Sequence, residues 1–165
     1  MTTSPDVALC RVSVASPIGS ITLVGDEEYL RSLYLIEPAH LATLSTGHPR
    51  PLLRAAEQLD AYFAGALIDF DLDILAQGTS FQHQVWDALC TIPYGTTTNY
   101  GSIAAAIGRP RAVRAVALAI GANPLAIVVP CHRVIGADGS LTGYASGLER
   151  KRFLLDHEQR VLDGS

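Results

Sequence analysis

Short apolar runs near the start of the chain predict an antiparallel β-sheet. The segments VALCRVSV (7–14), SITLVG (20–25) and YLRSLYLI (29–36) are rich in strand-forming residues, and the turn signal SPIG joins the first two. Apolar residues then recur at helical spacing between 52 and 64, which predicts a helix. IDFDLDI (68–74) alternates apolar residues with aspartates, which predicts a strand with one face in solvent. We therefore expect the first half to be a small α+β unit.

Helix start and stop signals dominate the second half. Thr79 and Gln82 form a capping box, which predicts a helix from about 80 to 90. YGSIAAAIG predicts a second helix that ends at Gly108, and PRAVRAVALAIG predicts a third that begins at Pro110. Because only Gly and Arg separate the second helix from the third, the pair is typical of a helix-turn-helix.

The remaining segments predict a wing and a last helix. LAIVV is expected to be a short buried strand, and in VIGADGSLTGY the pair Asp138 and Gly139 signals a hairpin. Strand, turn and strand would then form a wing beside the helices. In LERKRFLLDHEQRVL, Leu148, Leu155 and Leu162 recur every seven residues, which predicts a helix with these leucines on its buried face and Leu154 packed between turns.

The chain is expected to fold as two domains, 1–77 and 78–165, that differ in charge. The first carries four Arg against ten Asp and Glu, a net charge of −6, whereas the second carries eight Lys and Arg against six, a net charge of +2. Basic residues are concentrated within 109–152. Such a cluster can attract a polyanion such as nucleic acid, although a solvated surface is the simpler explanation for charges alone.

The third helix of this half is expected to have two different faces. The core stripe that the spacing predicts consists of Val113, Val116, Ala117 and Ile120. The second face is basic and of low relief, and it carries Arg111, Arg114, Ala115 and Leu118. Small alanines let a helix backbone come close to its partner, and arginine suits phosphates or a gap in a base stack.

The cysteines and the lengths of the apolar runs indicate the cellular compartment. Cys10, Cys90 and Cys131 are odd in number and far apart, which argues against a disulfide framework. No apolar stretch reaches the length of a membrane span, and the first residues lack the pattern of a signal peptide. We therefore expect a cytoplasmic protein that makes no membrane contact.

Cys131 and His132 stand side by side after Pro130, at the end of a β-branched run. A thiol is a poor nucleophile until it ionises, and a nearby imidazole promotes ionisation. On an ideal strand, adjacent side chains point to opposite faces, so the two would have to meet at a turn or through a bridging water. The spacing alone leaves two interpretations equally open: a reactive thiol, or a buried cysteine beside a surface histidine.

Several strings from the second half carry a resemblance to a known family. PCHRVIG, with IPYGTTTNYGSIAAAIG and RAVALAIGANP before it and GYASGLERKRFLLDHE after it, closely resembles the O6-alkylguanine-DNA alkyltransferases, also called methylated-DNA–protein-cysteine methyltransferases. The match is nearly continuous from about 78 to 160, and the string PCHRV is highly specific. Over residues 1–75 the resemblance is looser and includes SPIG and LDAYFAG.

The resemblance implies a role for each matching residue. Its reaction centre would comprise Cys131 as alkyl acceptor, His132 as base acting through a water, Glu158 as the group orienting the imidazole, and Asn123 as a brace. The guanine pocket would comprise Tyr100 as donor to N3, the main chain at Cys131 and Val134 as acceptor of the exocyclic amine, and Tyr144, Ala145 and Ser146, with the Ala145 amide facing O6. The DNA contacts would comprise Arg114 as the finger filling the gap in the duplex, with Arg111 and Ala115 beside it.

The family also implies the fold, the partner and the reaction. We expect a ribonuclease H-like first domain and a winged helix-turn-helix second domain that flips O6-alkylguanine, and O4-alkylthymine, out of double-stranded DNA through the minor groove. The thioether product has no labile bond, so each molecule would react once, without a cofactor. We expect a monomer in solution, and the sequence leaves open whether copies assemble cooperatively along DNA.

The chain departs from the family pattern in two places, and two other functions stay open. Some relatives hold zinc in the first domain, but here only Cys10, His40 and His48 could contribute, so we predict no metal. The pocket segment GYASG differs from the family's usual small residues or serine after the tyrosine, which leaves the tolerated alkyl size open. The alternatives are a winged-helix regulator or lesion-binding protein with a silent Cys131, and a cysteine hydrolase with repeated turnover. Without the resemblance, Glu158 is most simply a solvated helix residue.

Overall fold

The computed structural model describes residues 8–164. The chain divides into two compact units, residues 1–76 and 77–165. Among the described residues, no helix combines the length and the apolar character needed to cross a membrane. Val7, the first residue of the first predicted strand, lies outside the described part.

A four-stranded sheet organises the first unit. Strand β1 spans Cys10–Val14, β2 spans Ile21–Gly25, β3 spans Leu30–Tyr34 and β4 spans Ser45–Thr46, in the order β3-β2-β1-β4. The β1-β2 and β2-β3 pairs are antiparallel, which confirms the predicted sheet, and β2 is buried along its whole length. The short β4 pairs parallel to β1 within a segment where no strand was predicted.

Helix α1 packs against this sheet, and the strand that was predicted at 68–74 does not form. The helix spans Arg50–Phe63, as the periodicity predicts, and buries one apolar face. The predicted strand at 68–74 is wrong, because only Ile74 makes a β-bridge, to Leu30. The aspartates of this segment are nevertheless exposed, and Phe70 and Leu72 are half-buried. Alternation therefore identified the solvated side but not a hydrogen-bonded strand.

Helices dominate the second unit. Helix α2 spans Ser80–Leu89, α3 spans Tyr100–Ala106, α4 spans Val113–Gly121 and α5 spans Leu148–Leu162. The predicted capping box of α2 is present, and α2, α3 and α4 pack on one another. Helix α4 begins three residues later than predicted, because the residues from Pro110 form a turn closed by a bond from the Ala112 N–H to the Arg109 carbonyl (2.9 Å).

The predicted LAIVV strand is wrong. Residues 125–129 form tight turns instead, with the Val129 N–H donating to the Leu125 carbonyl at 2.8 Å. Ile127 has φ of 72°, a left-handed conformation that strains a β-branched residue. A β-branched run therefore does not ensure a strand, because bonds between close neighbours satisfy the backbone here.

Only part of the predicted wing forms. The Asp138–Gly139 turn forms, and the Gly136 N–H donates to the Ser140 carbonyl at 2.8 Å. The chain after it forms no strand. Strand β6 (Val134–Ile135) instead pairs parallel with β5 (Thr98–Asn99), so the partner of β6 comes from the segment before α3.

The buried faces of α4 and α5 differ from the predicted stripes. In α4, Val116 and Ile120 are buried as expected, but Val113 is 38% exposed at the first turn. In α5, Leu148 and Leu162 are about half exposed, so the predicted heptad face is wrong, whereas Leu154 is fully buried as predicted. The residues that α5 buries are Lys151, Leu154, His157 and Glu158. Most of these side chains are polar, and two of them join the site described next.

Candidate active site

A single 3-10 turn brings Cys131, His132 and Arg133 together. The turn follows Pro130, whose carbonyl accepts from the Arg133 N–H at 3.1 Å, and all three side chains in it are buried. The turn replaces the end of the strand that the sequence predicted. Adjacent side chains of a tight turn need not point in opposite directions, so the geometric objection to a Cys131–His132 pair is removed.

Asn123 holds the loop that precedes Cys131. Its side-chain amide donates to the Val129 carbonyl at 2.9 Å, and its Oδ1 accepts from the Leu125 N–H at 3.0 Å. Both ends of the strained segment around Ile127 are thereby fixed. The role of brace, which the resemblance implies, is consistent with these contacts.

Burial favours the protonated form of the Cys131 thiol. Its side chain is only 7% exposed, and burial raises the pKa of the thiol above the ordinary value. A hydrogen bond from Asn123 and the positive charge of Lys151 lower the pKa of the same thiol, without overcoming burial. A buried, protonated thiol needs a neighbouring base before it can act as a nucleophile.

Glu158 is the hub of a buried polar network. Its Oε2 lies 2.7 Å from Nε2 of His132, and its Oε1 accepts from Nε of Arg133 at 2.8 Å. Arg133 adds a second bond to the carboxylate at 3.0 Å and donates to the Ile92 carbonyl at 2.8 Å. The Gly95 N–H also donates to Glu158, at 3.1 Å. The interpretation of Glu158 as a solvated helix residue is thus excluded.

This network fixes which nitrogen of His132 can take a proton. A carboxylate paired with a guanidinium accepts hydrogen bonds, so Nε2, which faces it, carries the proton of the neutral ring. Nδ1 is therefore the free basic nitrogen; it is buried and has no partner among the described residues. Burial lowers the pKa of His132, and Glu158 opposes this shift, so the imidazole is neutral at rest.

Lys151 is a site residue that the sequence reasoning missed. Its side chain is fully buried, and its Nζ donates to the carbonyls of Val134, at 2.5 Å, and Thr142, at 2.8 Å. Burial lowers the pKa of Lys151, while a negative charge on the nearby Cys131 sulfur raises it. The sequence contained a signal for this residue, because Lys151 precedes Glu158 by seven residues and so lies on the same face of α5.

Two tyrosines border the segment that follows the wing turn. The Tyr100 hydroxyl donates to the Thr142 carbonyl at 2.9 Å, the same carbonyl that accepts from Lys151. The Tyr144 hydroxyl is buried without a partner in the described chain, and its pKa is raised by burial and by a negative charge on the Cys131 sulfur. Gly143 has φ of 54°, and a Cβ there would lie 3.3 Å from the Tyr100 hydroxyl, which favours glycine.

The other predicted pocket residues lie on or beside this segment. Val134 is fully buried, and its carbonyl is already bonded to Lys151. Ala145 is exposed, and the half-buried Ser146 accepts a bond from Arg150 through its carbonyl at 2.7 Å. Lys151 thus ties the pocket segment to the strand that follows the Cys131 turn.

The predicted DNA-contacting residues lie on or just before α4. Arg111 lies in the turn before α4, Arg114 and Ala115 lie in its first turn, and all three are exposed. Neither arginine makes an ion pair with another described residue. As for metals, residues 8–164 contain no cluster of three or more His, Cys, Asp or Glu side chains suited to hold an ion.

Comparison with known proteins gives matches over both units. The family model for the ribonuclease-like domain of 6-O-methylguanine DNA methyltransferase matches residues 10–76, and the model for its DNA binding domain matches residues 80–160. A methylated-DNA–protein-cysteine methyltransferase from Mycolicibacterium paratuberculosis is 53% identical, and the alignment covers 90% of this chain and 91% of that protein. One from Methanosarcina barkeri is 50% identical, with 90% and 96% covered.

Solved structures agree with this assignment. A crystal structure of Mycobacterium tuberculosis OGT in complex with DNA superposes with a TM-score of 0.84 at 50% identity, and the alignment covers 90% of this chain and 92% of that one. The matches span both units at an identity well above that needed to establish kinship. The chain therefore belongs to the methylated-DNA–protein-cysteine methyltransferase family.

Proposed function

We propose that Cys131 is the residue that irreversibly accepts the alkyl group from O6-alkylguanine in DNA, and from O4-alkylthymine. Family membership makes the protein a DNA repair enzyme that transfers an alkyl group to a cysteine of its own. The observation that carries the assignment is the buried Cys131 in one turn with His132, whose Nε2 is held by Glu158 and whose Nδ1 is free. Neither Cys10 nor Cys90 is followed by a histidine.

The arrangement supports a simple route for the proton and the electron pair. Nδ1 of His132 takes the thiol proton through a bridging water, while Glu158 stabilises the imidazolium that forms. The Cys131 sulfur attacks the alkyl carbon, the S–C bond forms as the C–O6 bond breaks, and the electron pair passes to the guanine. Tyr100 compensates the negative charge on the guanine by donating a hydrogen bond to N3. To do so, its hydroxyl must first break its hydrogen bond to the Thr142 carbonyl.

The pocket would recognise guanine mainly through the backbone. The main chain at Cys131 and Val134 would accept from the exocyclic amine, and the Val134 carbonyl can do so with its second lone pair while Lys151 occupies the first. The Ala145 amide would face O6, and Tyr144 and Ser146 would line the wall. Lys151 supports this use by holding the Val134 and Thr142 carbonyls in place.

Access to a base inside a duplex requires extrusion of the nucleotide. Flipping costs a few kcal/mol of stacking and pairing, which contacts in the vacated space offset. Arg114 is exposed on α4 without an ion-pair partner in the described chain, so it is free to enter the gap, with Arg111 and Ala115 against the backbone. Approach is through the minor groove in this proposal. A cytoplasmic location and a monomeric state stay predictions.

Counting transferred groups tests the proposal. Titrating the protein with excess duplex that contains O6-methylguanine should give a plateau of one methyl group per protein molecule, because water cannot reopen a thioether. Turnover beyond one equivalent would instead support a cysteine hydrolase. Tight binding with no transfer would support a lesion-binding protein in which Cys131 is silent.

Replacing Arg114 with alanine should slow repair of duplex DNA by about 5- to 150-fold, as expected for losing a contact worth about 1–3 kcal/mol. Reaction with free O6-benzylguanine, which needs no flipping, should slow by a much smaller factor. Single-turnover rates with both substrates measure the difference. The control is Arg50→Ala, an exposed arginine outside the matched DNA binding domain. Equal losses on both substrates would refute the role of Arg114 in flipping.

A further inference from the structure

Leu118 is an unusually exposed apolar side chain in the middle of α4. It is 77% exposed, more than any other large apolar residue in the part of the chain that the structure describes. A single leucine on a surface needs no explanation by itself. The neighbours of Leu118 distinguish it from other surface leucines.

The helix face around Leu118 is otherwise flat. Arg114 lies one turn before it, and Ala115, Gly121 and Ala122 surround it on the same exposed side. A side chain added at Gly121 would meet nothing within 4 Å. Within α4 itself, Leu118 and Arg114 are therefore the two large side chains that project from this face, whose small residues permit close approach.

The charge around this face fits a polyanion. The sequence contains no Asp or Glu between Asp87 and Asp138, whereas Arg109, Arg111 and Arg114 lie on or just before α4. A partner with acidic groups at its edges and an apolar floor would match both features. The DNA minor groove has this composition, because phosphates line its rims while sugars and base edges form its floor.

We infer that Leu118 is an apolar DNA contact that enters the minor groove beside Arg114 and packs against the base pairs flanking the extruded nucleotide. The inference rests on the proposed function, which assigns Arg114 to the vacated space. In this proposal the axis of α4 lies along the groove. Four helical residues then advance about 6 Å, and base pairs are spaced by about 3.4 Å, so Leu118 would lie about two steps from the gap. Leucine is among the side chains that proteins use as minor-groove wedges.

Binding measured without chemistry tests the inference. In the Cys131→Ser background, Leu118→Ala should weaken binding to a short lesion-containing duplex by about five- to tenfold, as expected for loss of apolar burial. The slope of affinity against salt should not change, because no phosphate contact is lost. Arg111→Ala in the same background should reduce that slope by about one, as for a phosphate contact. Leu53→Ala, an exposed leucine on α1, is the control.

A fluorescent probe reports the geometry. With 2-aminopurine placed two steps from the lesion, binding of the protein with Leu118 should raise fluorescence through unstacking, and Leu118→Ala should abolish most of that rise. The inference is overturned if Leu118→Ala matches Leu53→Ala in affinity and fluorescence. It is also overturned if the loss of affinity occurs only on long duplexes that hold several copies, because Leu118 would then contact protein. Failure of alkyl transfer affects neither measurement.

Discussion

Replacing Cys131 with serine is expected to abolish alkyl transfer completely while affinity for duplex DNA stays within about twofold, since only one buried atom changes. The hydroxyl is a far weaker nucleophile than the thiol, and the neutral His132 beside it cannot compensate for the difference. Single-turnover assays with an O6-methylguanine duplex measure transfer, and equilibrium titration measures affinity. Loss of transfer with retained affinity would locate the chemistry in the sulfur atom of Cys131.

Cys90→Ser is the matched control for that experiment. Cys90 follows α2 directly, its side chain is exposed, and it belongs to the same unit as Cys131. The control should keep the transfer rate and the affinity of the parent protein. Retained transfer by Cys131→Ser would move the nucleophile to another residue, and loss of DNA affinity would show that the substitution disturbs more than chemistry.

Replacing Glu158 with glutamine is expected to damage both stability and reactivity. The carboxylate is fully buried between His132 and Arg133, and removing one partner of a buried ion pair typically costs 3–5 kcal/mol of unfolding free energy. The amide also fails to stabilise the imidazolium, so transfer should slow by about 100- to 10,000-fold, the range of general-base effects. Chemical denaturation and single-turnover kinetics measure the two losses.

Two further variants make the Glu158 prediction specific. Glu149→Gln removes an exposed carboxylate from the first turn of the same helix and should change stability by less than about 0.5 kcal/mol. Glu158→Asp keeps the charge and should recover part of the lost rate. Normal transfer by a folded Glu158→Gln protein would contradict the proposed route of the proton.

Local signals predicted many elements of the fold. The capping box placed the start of α2, and runs of strand-forming residues placed the three antiparallel strands. Predictions failed where tertiary context decides. The β-branched run at 125–129 folds into turns that Asn123 braces, and the chain after the Asp138 turn forms no strand. Neither outcome is encoded in the propensity of the residues concerned.

The hydrophobic pattern predicted less of the candidate site than the family resemblance did. Heptad spacing placed Leu148 and Leu162 in the core, although α5 buries Lys151 and Glu158 instead. Hydrophobic periodicity cannot indicate a buried charged face, because charged side chains are ordinarily assigned to solvent. The resemblance supplied Glu158 but not Lys151, whose function is to hold two backbone carbonyls and whose charge lies close to the thiol.

Mass analysis of the protein after one reaction tests the central claim most directly. Equimolar protein and O6-methylguanine duplex should yield protein heavier by one methyl group in place of one hydrogen, and fragmentation should locate that mass on Cys131. The DNA should simultaneously contain unmodified guanine. An unmodified Cys131 peptide, or a methyl group on any other residue, in a sample whose DNA has been repaired would contradict the account.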